Sequence, residues 1–153
     1  AKFDVKATAA PHFRRVLLEH LLQRGEGQDS DLSSLSPSLK LGALRSYQSV
    51  NDGKGIMFIS HVGDIYPSGF LPIRCGNARE DSLVEIYRHS PMFTALRNPD
   101  LLRGKCGECR YKAVCGGSRA RAFAESGDYL GEDSLCSYVD TEWARSGAHS
   151  SGG

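Results

Sequence analysis

The five cysteines constrain this sequence more than any other feature. Four of them, Cys106, Cys109, Cys115 and Cys136, follow a C-x2-C-x5-C spacing with the last cysteine after 20 further residues. Two thiolates three positions apart bind one metal centre from a single turn, and two later thiolates close a loop around it. An odd number of cysteines, with nothing resembling a secretion signal at the start, argues against a disulfide framework. The pattern therefore predicts a metal centre in a reduced, cytoplasmic protein.

The spacing also bears on which metal is bound. Four thiolates suit either a [4Fe–4S] cluster or a tetrahedral zinc ion. Structural zinc sites usually combine two short C-x2-C pairs, whereas this sequence has only the pair Cys106 and Cys109. The spacing therefore favours the larger iron–sulfur core, with zinc as the alternative. Cys75 is a fifth thiol, which we interpret as a further or alternative metal ligand or as a buried cysteine.

Charged residues near the cysteines suggest how such a centre is tuned. Gly116 and Gly117 predict close backbone approach and a helix that opens at Ser118, with free N–H groups and a dipole directed at an anionic cluster. Arg119 and Arg121 would add positive charge that raises a reduction potential, although a solvated helix face is the default interpretation of such arginines. His12 is interpreted as a surface histidine at a helix start, with a substrate contact as the alternative.

Hydrophobic periodicity predicts an α+β fold with a small β-hairpin, several helices and a loop-rich cysteine segment. The runs 56–60 and 65–67 predict the hairpin. A capping box at Ser82 and Glu85 predicts a helix to about residue 89. Further helix signals are Ser90–Pro91 as a start, Asn98–Pro99 as a stop, and a helix over 118–126 capped by Gly127.

The remaining sequence divides the chain into four parts. An alternating segment over 2–7 predicts a strand, and Pro11 with the apolar residues Phe13, Val16, Leu17 and Leu21 predicts a helix that ends near residue 24. We therefore expect a strand–helix unit over 1–24, a loop or linker over 25–54, the cysteine domain over 55–145 and a disordered tail over 146–153.

Composition excludes several function classes. Nineteen Lys and Arg against 18 Asp and Glu leave a formal net charge of +1, which gives no electrostatic case for nucleic acid or for an anionic membrane. No apolar run approaches the roughly 18–20 residues that span a bilayer. Nucleotide-binding, serine-hydrolase and zinc-protease motifs are absent from the sequence. The cysteines therefore remain the only chemical signal of high specificity.

Several runs together resemble a known family. They are 55–70, 75–77, 82–87 and 115–122, and they are similar to the C-terminal SPASM or twitch domain of radical SAM enzymes, nearest to members related to haem-modifying radical SAM proteins. The resemblance extends over roughly 55–140. Residues 2–23 resemble the last barrel strand and helix that precede this domain, so the strand–helix unit would be the remnant of a partial barrel.

The resemblance implies a ligand set. By match, Cys106, Cys109, Cys115 and Cys136 would bind an auxiliary [4Fe–4S] cluster. Full SPASM domains bind a second cluster, and two of its ligand positions are occupied here by Ser68 and Arg119. The resemblance therefore implies a version of the domain with one cluster.

The resemblance also implies a partner. The C-x3-C-x2-C motif, which leaves one iron open for S-adenosylmethionine in this family, does not occur in this sequence. We therefore expect a radical SAM barrel, in the same or another chain, to bind S-adenosylmethionine, and this chain not to be catalytic alone. Its expected role is to relay an electron or to position a substrate, a tetrapyrrole or a peptide. The alternatives are a structural zinc-binding or interaction module and a stand-alone, ferredoxin-like electron carrier.

Overall fold

The computed structural model describes residues 10–23 and 50–138. The predicted strand over 2–7, the predicted loop up to residue 49 and the predicted tail over 146–153 lie outside the described residues. Within them the order is α1 (Pro11–Gln23), β1 (Phe58–Ile59), β2 (Asp64–Tyr66), β3 (Gly76–Asn77), α2 (Leu83–His89), α3 (Pro91–Arg97), a 3-10 turn (Pro99–Leu101), α4 (Gly104–Glu108) and α5 (Arg119–Ser126). This arrangement confirms the α+β class.

The three strands form a small antiparallel sheet in the order β1–β2–β3. The predicted hairpin is β1 with β2, in which Phe58 pairs with Tyr66 and Ile59 with Ile65. The third strand was not predicted from the sequence, and it pairs Gly76 with Ile65. Because Ile65 is fully buried, the central strand anchors the sheet to the core.

The capping signals place the helices correctly. Ser82 caps α2 by accepting a hydrogen bond from the Glu85 N–H at 3.4 Å, and Ser90 caps α3 in the same way. Gly127 ends α5 in the left-handed region at φ 73°, as a C-terminal glycine commonly does. The short helix α4 around the first cysteine pair was not predicted.

The core lies between the sheet and the helices. Its fully buried side chains include Ile65, Leu71, Phe93 and Ala122. The turn at Gly53, which has φ +67°, packs onto α3, and a Cβ at this position would lie 2.7 Å from Leu96 Cδ1. Residues 51–54, which the sequence assigned to the linker, therefore pack directly against the cysteine domain.

The helix α1 turns its polar side toward this domain. Leu18 is buried at 7% exposure, whereas Phe13 is 39% and Val16 50% exposed. His12 and Arg15 lie on the same face as Leu18, and both line the cavity described below. Two residues of the apolar face expected from the periodicity, Phe13 and Val16, are therefore exposed, and His12 and Arg15 face the domain instead.

Candidate metal centre

The four cysteines of the motif line one cavity. Cys106 lies on α4, Cys109 caps the C-terminus of that helix, Cys115 ends the loop that follows, and Cys136 comes from a turn beyond α5. All five cysteines of the chain are free thiols, so none is consumed in a disulfide. The structure therefore places these four thiols along one cavity, and their role as a common ligand set stays a prediction. Among the described residues, no group of three or more His, Cys, Asp or Glu side chains is placed closely enough to hold a single metal ion.

Cys106 Sγ is surrounded by hydrogen-bond donors. Its Sγ accepts from the Asp133 N–H at 3.3 Å and from Arg119 Nη2 at 3.5 Å. Gly117 packs against the same sulfur at φ +64°, and a Cβ there would lie 2.9 Å from Cys106 Sγ. A donor-rich, tightly packed sulfur of this kind fits a metal-bound thiolate, which carries negative charge.

The other sulfurs have similar surroundings. Cys109 Sγ accepts from the Tyr111 N–H at 3.4 Å. Burial raises the pKa of the Cys115 thiol to about 11, the N–H of Gly117 opposes that rise, and the other three cysteines raise the pKa further. Thiols close enough to repel each other as thiolates need a cation among them to ionise together, and an iron–sulfur core supplies that charge.

A histidine and a buried aspartate close one side of the cavity. His12 Nδ1 lies 3.6 Å from Cys136 Sγ and 3.9 Å from Cys115 Sγ, and its Nε2 lies 3.2 Å from Asp133 Oδ2. The interpretation of His12 as a surface histidine is therefore wrong. Asp133 is 121 positions away in the sequence, so no local pattern could have revealed this contact.

Asp133 organises this side of the site. Its carboxylate is fully buried and accepts hydrogen bonds from the Ser118 N–H at 2.8 Å, from Arg121 Nε at 3.1 Å and from Arg121 Nη2 at 2.7 Å. Burial alone would raise the pKa of Asp133, but the hydrogen bonds from Arg121 and Ser118 hold that pKa below its ordinary value. The carboxylate is therefore a charged anchor that joins α1, α5 and the loop of Cys136.

The start of α5 does not face the sulfurs as expected. The Ser118 N–H donates to Asp133 and the Ala120 N–H to Asp52 Oδ2 at 3.0 Å. Asp52 is itself buried and also accepts from the Ser68 hydroxyl. Two carboxylates therefore occupy the positive end of this helix, and the expectation that its free N–H groups point at the cluster is wrong.

The arginines divide into two kinds. Arg121 is paired with Asp133, whereas Arg119 is only 2% exposed and donates from Nη2 to Cys106 Sγ. The default interpretation of Arg119 on a solvated helix face is therefore wrong. Lys105 and Arg15 also line the cavity, and Arg15 is paired with Glu19 at 2.7 Å. This donor set and charge fit an anionic iron–sulfur cluster.

Cys75 lies apart from the four cysteines. It directly precedes β3, its N–H donates to the Ile65 carbonyl, and its Sγ contacts the Ile73 carbonyl oxygen at 3.4 Å. It is not among the residues that line the cysteine cavity. Burial raises the pKa of its thiol. The structure therefore gives Cys75 the surroundings of a half-buried cysteine in the sheet.

Comparison with known proteins identifies the class of this domain. Residues 51–110 match the model of the SPASM family, described as an iron–sulfur cluster-binding domain. The matched residues therefore form a SPASM-type iron–sulfur domain of the kind found in radical SAM enzymes, as the resemblance implied, and this match supports an iron–sulfur cofactor.

Its relatives extend well beyond the matched domain. The chain is 39% identical over 142 residues to the AdoMet-dependent heme synthase of Methanosarcina barkeri, covering 90% of this chain and 37% of the relative. It is 40% identical over 134 residues to the protein of the same name from Nitratidesulfovibrio vulgaris, covering 88% and 34%. It is 35% identical over 88 residues to the pre-heme d1 synthase of Dinoroseobacter shibae, covering 55% and 22%. The matched parts of this chain therefore span between 22% and 37% of the length of these curated relatives.

The length and apolar character of the helices decide whether any of them could cross a membrane. Among residues 10–23 and 50–138, no helix combines the length and the apolar character that a bilayer crossing requires.

Proposed function

We propose that this chain binds an auxiliary [4Fe–4S] cluster through Cys106, Cys109, Cys115 and Cys136. The observation that carries the proposal is that these four thiols line one cavity, and that residues 51–110, which include Cys106 and Cys109, match an iron–sulfur cluster-binding family. The N–H donors to Cys106 and Cys109 support it, because such donors stabilise sulfurs that carry the negative charge of a bound cluster.

The proposed role is to pass single electrons to or from a substrate held nearby, or to help position that substrate. A bound cluster supplies one-electron redox chemistry at a potential that its surroundings set. The residues of this chain contribute the hydrogen bonds to sulfur and the positive charge of the cavity wall, and α1 covers one side of the site through His12. The proposed partner is a radical SAM barrel, in the same or another chain, that would supply the C-x3-C-x2-C motif not found in this sequence.

The names of the relatives support a tetrapyrrole as the substrate of that assembly. The first three curated relatives are AdoMet-dependent heme synthases, each matched over 88–90% of this chain. Relatives named PqqA peptide cyclase match only 56% and 39% of it, so a peptide substrate has weaker support. We propose that the electron is exchanged with a substrate bound between this domain and the barrel.

Metal analysis of anaerobically purified chain tests the cluster. A brown protein with about four irons and four sulfides per chain is the expected result. Colourless protein with about one zinc supports the zinc-binding scaffold and refutes the proposal. Cys106→Ala should abolish iron binding, whereas Cys75→Ala is the matched control and should retain it, because Cys75 does not line the cavity.

A second experiment separates a relay domain from a free electron carrier. The chain is assayed with a radical SAM barrel, joined or added, and with a tetrapyrrole substrate. Turnover that requires the barrel and fails with Cys106→Ala supports the relay or positioning role. If Cys106→Ala leaves turnover unchanged, the cluster has no role in that reaction. Electron transfer by the chain to unrelated acceptors at equal rates would instead indicate a stand-alone carrier.

A further inference from the structure

Arg119 is a buried cation without a carboxylate partner in the described part of the chain. Its side chain is among the largest that are fully enclosed, and the residue is 2% exposed. Nη1 donates to the carbonyl oxygens of Tyr129 at 3.2 Å and Gly131 at 2.6 Å, and Nη2 donates to Cys106 Sγ at 3.5 Å. Its Nε is buried with no hydrogen-bond partner. The carbonyls satisfy donors but do not neutralise the charge.

Two other arginines near the site are paired with carboxylates. Arg121 binds Asp133 at 2.7 Å, and Arg103 binds Asp128 at 2.7 Å. A buried charge without an opposite charge costs several kcal/mol, so such groups are normally paired or placed on a metal centre. The group that faces Arg119 with the potential for negative charge is the sulfur of Cys106.

The packing around this contact is specific. A Cβ on Gly117 would lie 2.6 Å from Arg119 Nη2 and 2.9 Å from Cys106 Sγ. Only glycine at this position therefore allows the guanidinium to stay in contact with the sulfur. The guanidinium is planar and rigid, and the two carbonyl contacts of Nη1 fix its orientation. Nη2 is thereby aimed at the sulfur rather than free to rotate away.

We propose that Arg119 is the built-in counter-charge of the iron–sulfur cluster and a positioning residue for its redox potential. The inference rests on the proposed function. One-electron reduction makes a site with four thiolates one unit more negative. A fixed cation against one of those thiolates stabilises the reduced form more than the oxidised form, and so raises the potential. The charge of Arg121 is already offset by Asp133.

The test is a potentiometric titration of the full chain, reconstituted anaerobically with iron and sulfide. Dithionite serves as the reductant, with redox mediators, and electron paramagnetic resonance reports the reduced cluster. The variants are Arg119→Gln, which removes the charge, and Arg119→Lys, which keeps it without the planar fork. Arg103→Gln is the control, because it removes an arginine charge from a side chain that is 65% exposed.

The Arg119→Gln chain should retain about four irons. The equilibrium constant for reducing its cluster should fall at least tenfold, which lowers the midpoint potential by about 59 mV for one electron. Arg119→Lys should shift less, and Arg103→Gln should match the wild type. Equal midpoints for wild type and Arg119→Gln would overturn this inference alone, whereas a wild-type chain without iron would overturn the proposed function as well.

If Arg119→Gln assembles no cluster, Arg119→Lys decides the matter. A cluster with a midpoint near that of the wild type supports the charge as the essential property. Loss of the cluster in both variants makes Arg119 a structural clamp on the 129–131 loop and overturns the inference.

Discussion

Gly117→Ala should damage both the fold and the metal site. Gly117 has φ +64°, and an added Cβ would lie 2.6 Å from Arg119 Nη2 and 2.9 Å from Cys106 Sγ. The left-handed conformation costs a residue with a Cβ about 1–2 kcal/mol. Displacing packed neighbours costs a further amount of about 1–3 kcal/mol. The free energy of unfolding should therefore fall by about 2–5 kcal/mol.

Gly127→Ala provides a matched control. Gly127 has φ +73°, but a Cβ there would have no atom within 4 Å. Only the conformational cost applies, so the expected loss is about 1–2 kcal/mol. The difference between the two variants isolates the crowding at the cysteine site, about 1–3 kcal/mol.

Thermal unfolding of the anaerobically reconstituted chains measures the difference. Each kcal/mol lowers the midpoint by about 2–4 °C in a chain of this size. Iron content per chain gives a second readout, which should fall in Gly117→Ala and stay normal in Gly127→Ala. If the two variants unfold at the same temperature and bind equal iron, the close packing of Gly117 against Cys106 does not constrain the site, and the reasoning fails.

Three further predictions concern ion pairs and the covering helix. Asp133→Asn should lower the free energy of unfolding by roughly 1.5–3 kcal/mol, because it removes charged hydrogen bonds to a buried carboxylate. Asp128→Asn, which breaks a more exposed ion pair, should lower it by about 0–1 kcal/mol. Equal losses for the two variants in urea titrations would contradict this prediction. His12→Ala should shorten the lifetime of the cluster in air several-fold, followed by its visible absorbance, since His12 covers two of the sulfurs; an unchanged lifetime would refute this covering role. The hydrogen bond from Arg74 holds the pKa of Asp64 below 3.8, so the stabilisation of the fold by this ion pair is complete above that pH and is lost as the pH falls through the depressed pKa. The urea midpoint of Asp64→Asn should therefore lie below that of the wild type at neutral pH and converge with it in acid. A difference between the two midpoints that persists in acid would contradict the assignment.

The sequence predicted the elements that local signals define. Ser82 with Glu85, Ser90 with Pro91, and Gly127 each act within one helical turn, so the helices begin and end where these residues indicate. The hairpin followed from two short runs of β-branched and aromatic residues. The third strand was missed because Gly76–Asn77 is only two residues long and has no alternation of its own.

The cysteine spacing identified the four thiols that line the cavity, but it did not identify the residues around them. His12 and Asp133 meet across 121 positions, and Asp52 reaches the start of α5 across 68. No periodicity or short motif encodes such contacts, because they depend on the folded arrangement of distant segments. The burial of Arg119 was missed for the same reason, since it depends on the carbonyl groups of the 129–131 loop.

The contact between His12 and Cys136 joins residues that are 124 positions apart. During translation, Cys106, Cys109 and Cys115 leave the ribosome well before Cys136 does, so a nascent chain offers three thiols and an incomplete pocket. Iron and sulfide delivered at that stage would meet a site without its fourth sulfur. The pocket of four thiols is therefore complete only after the loop of Cys136 has folded back against α1.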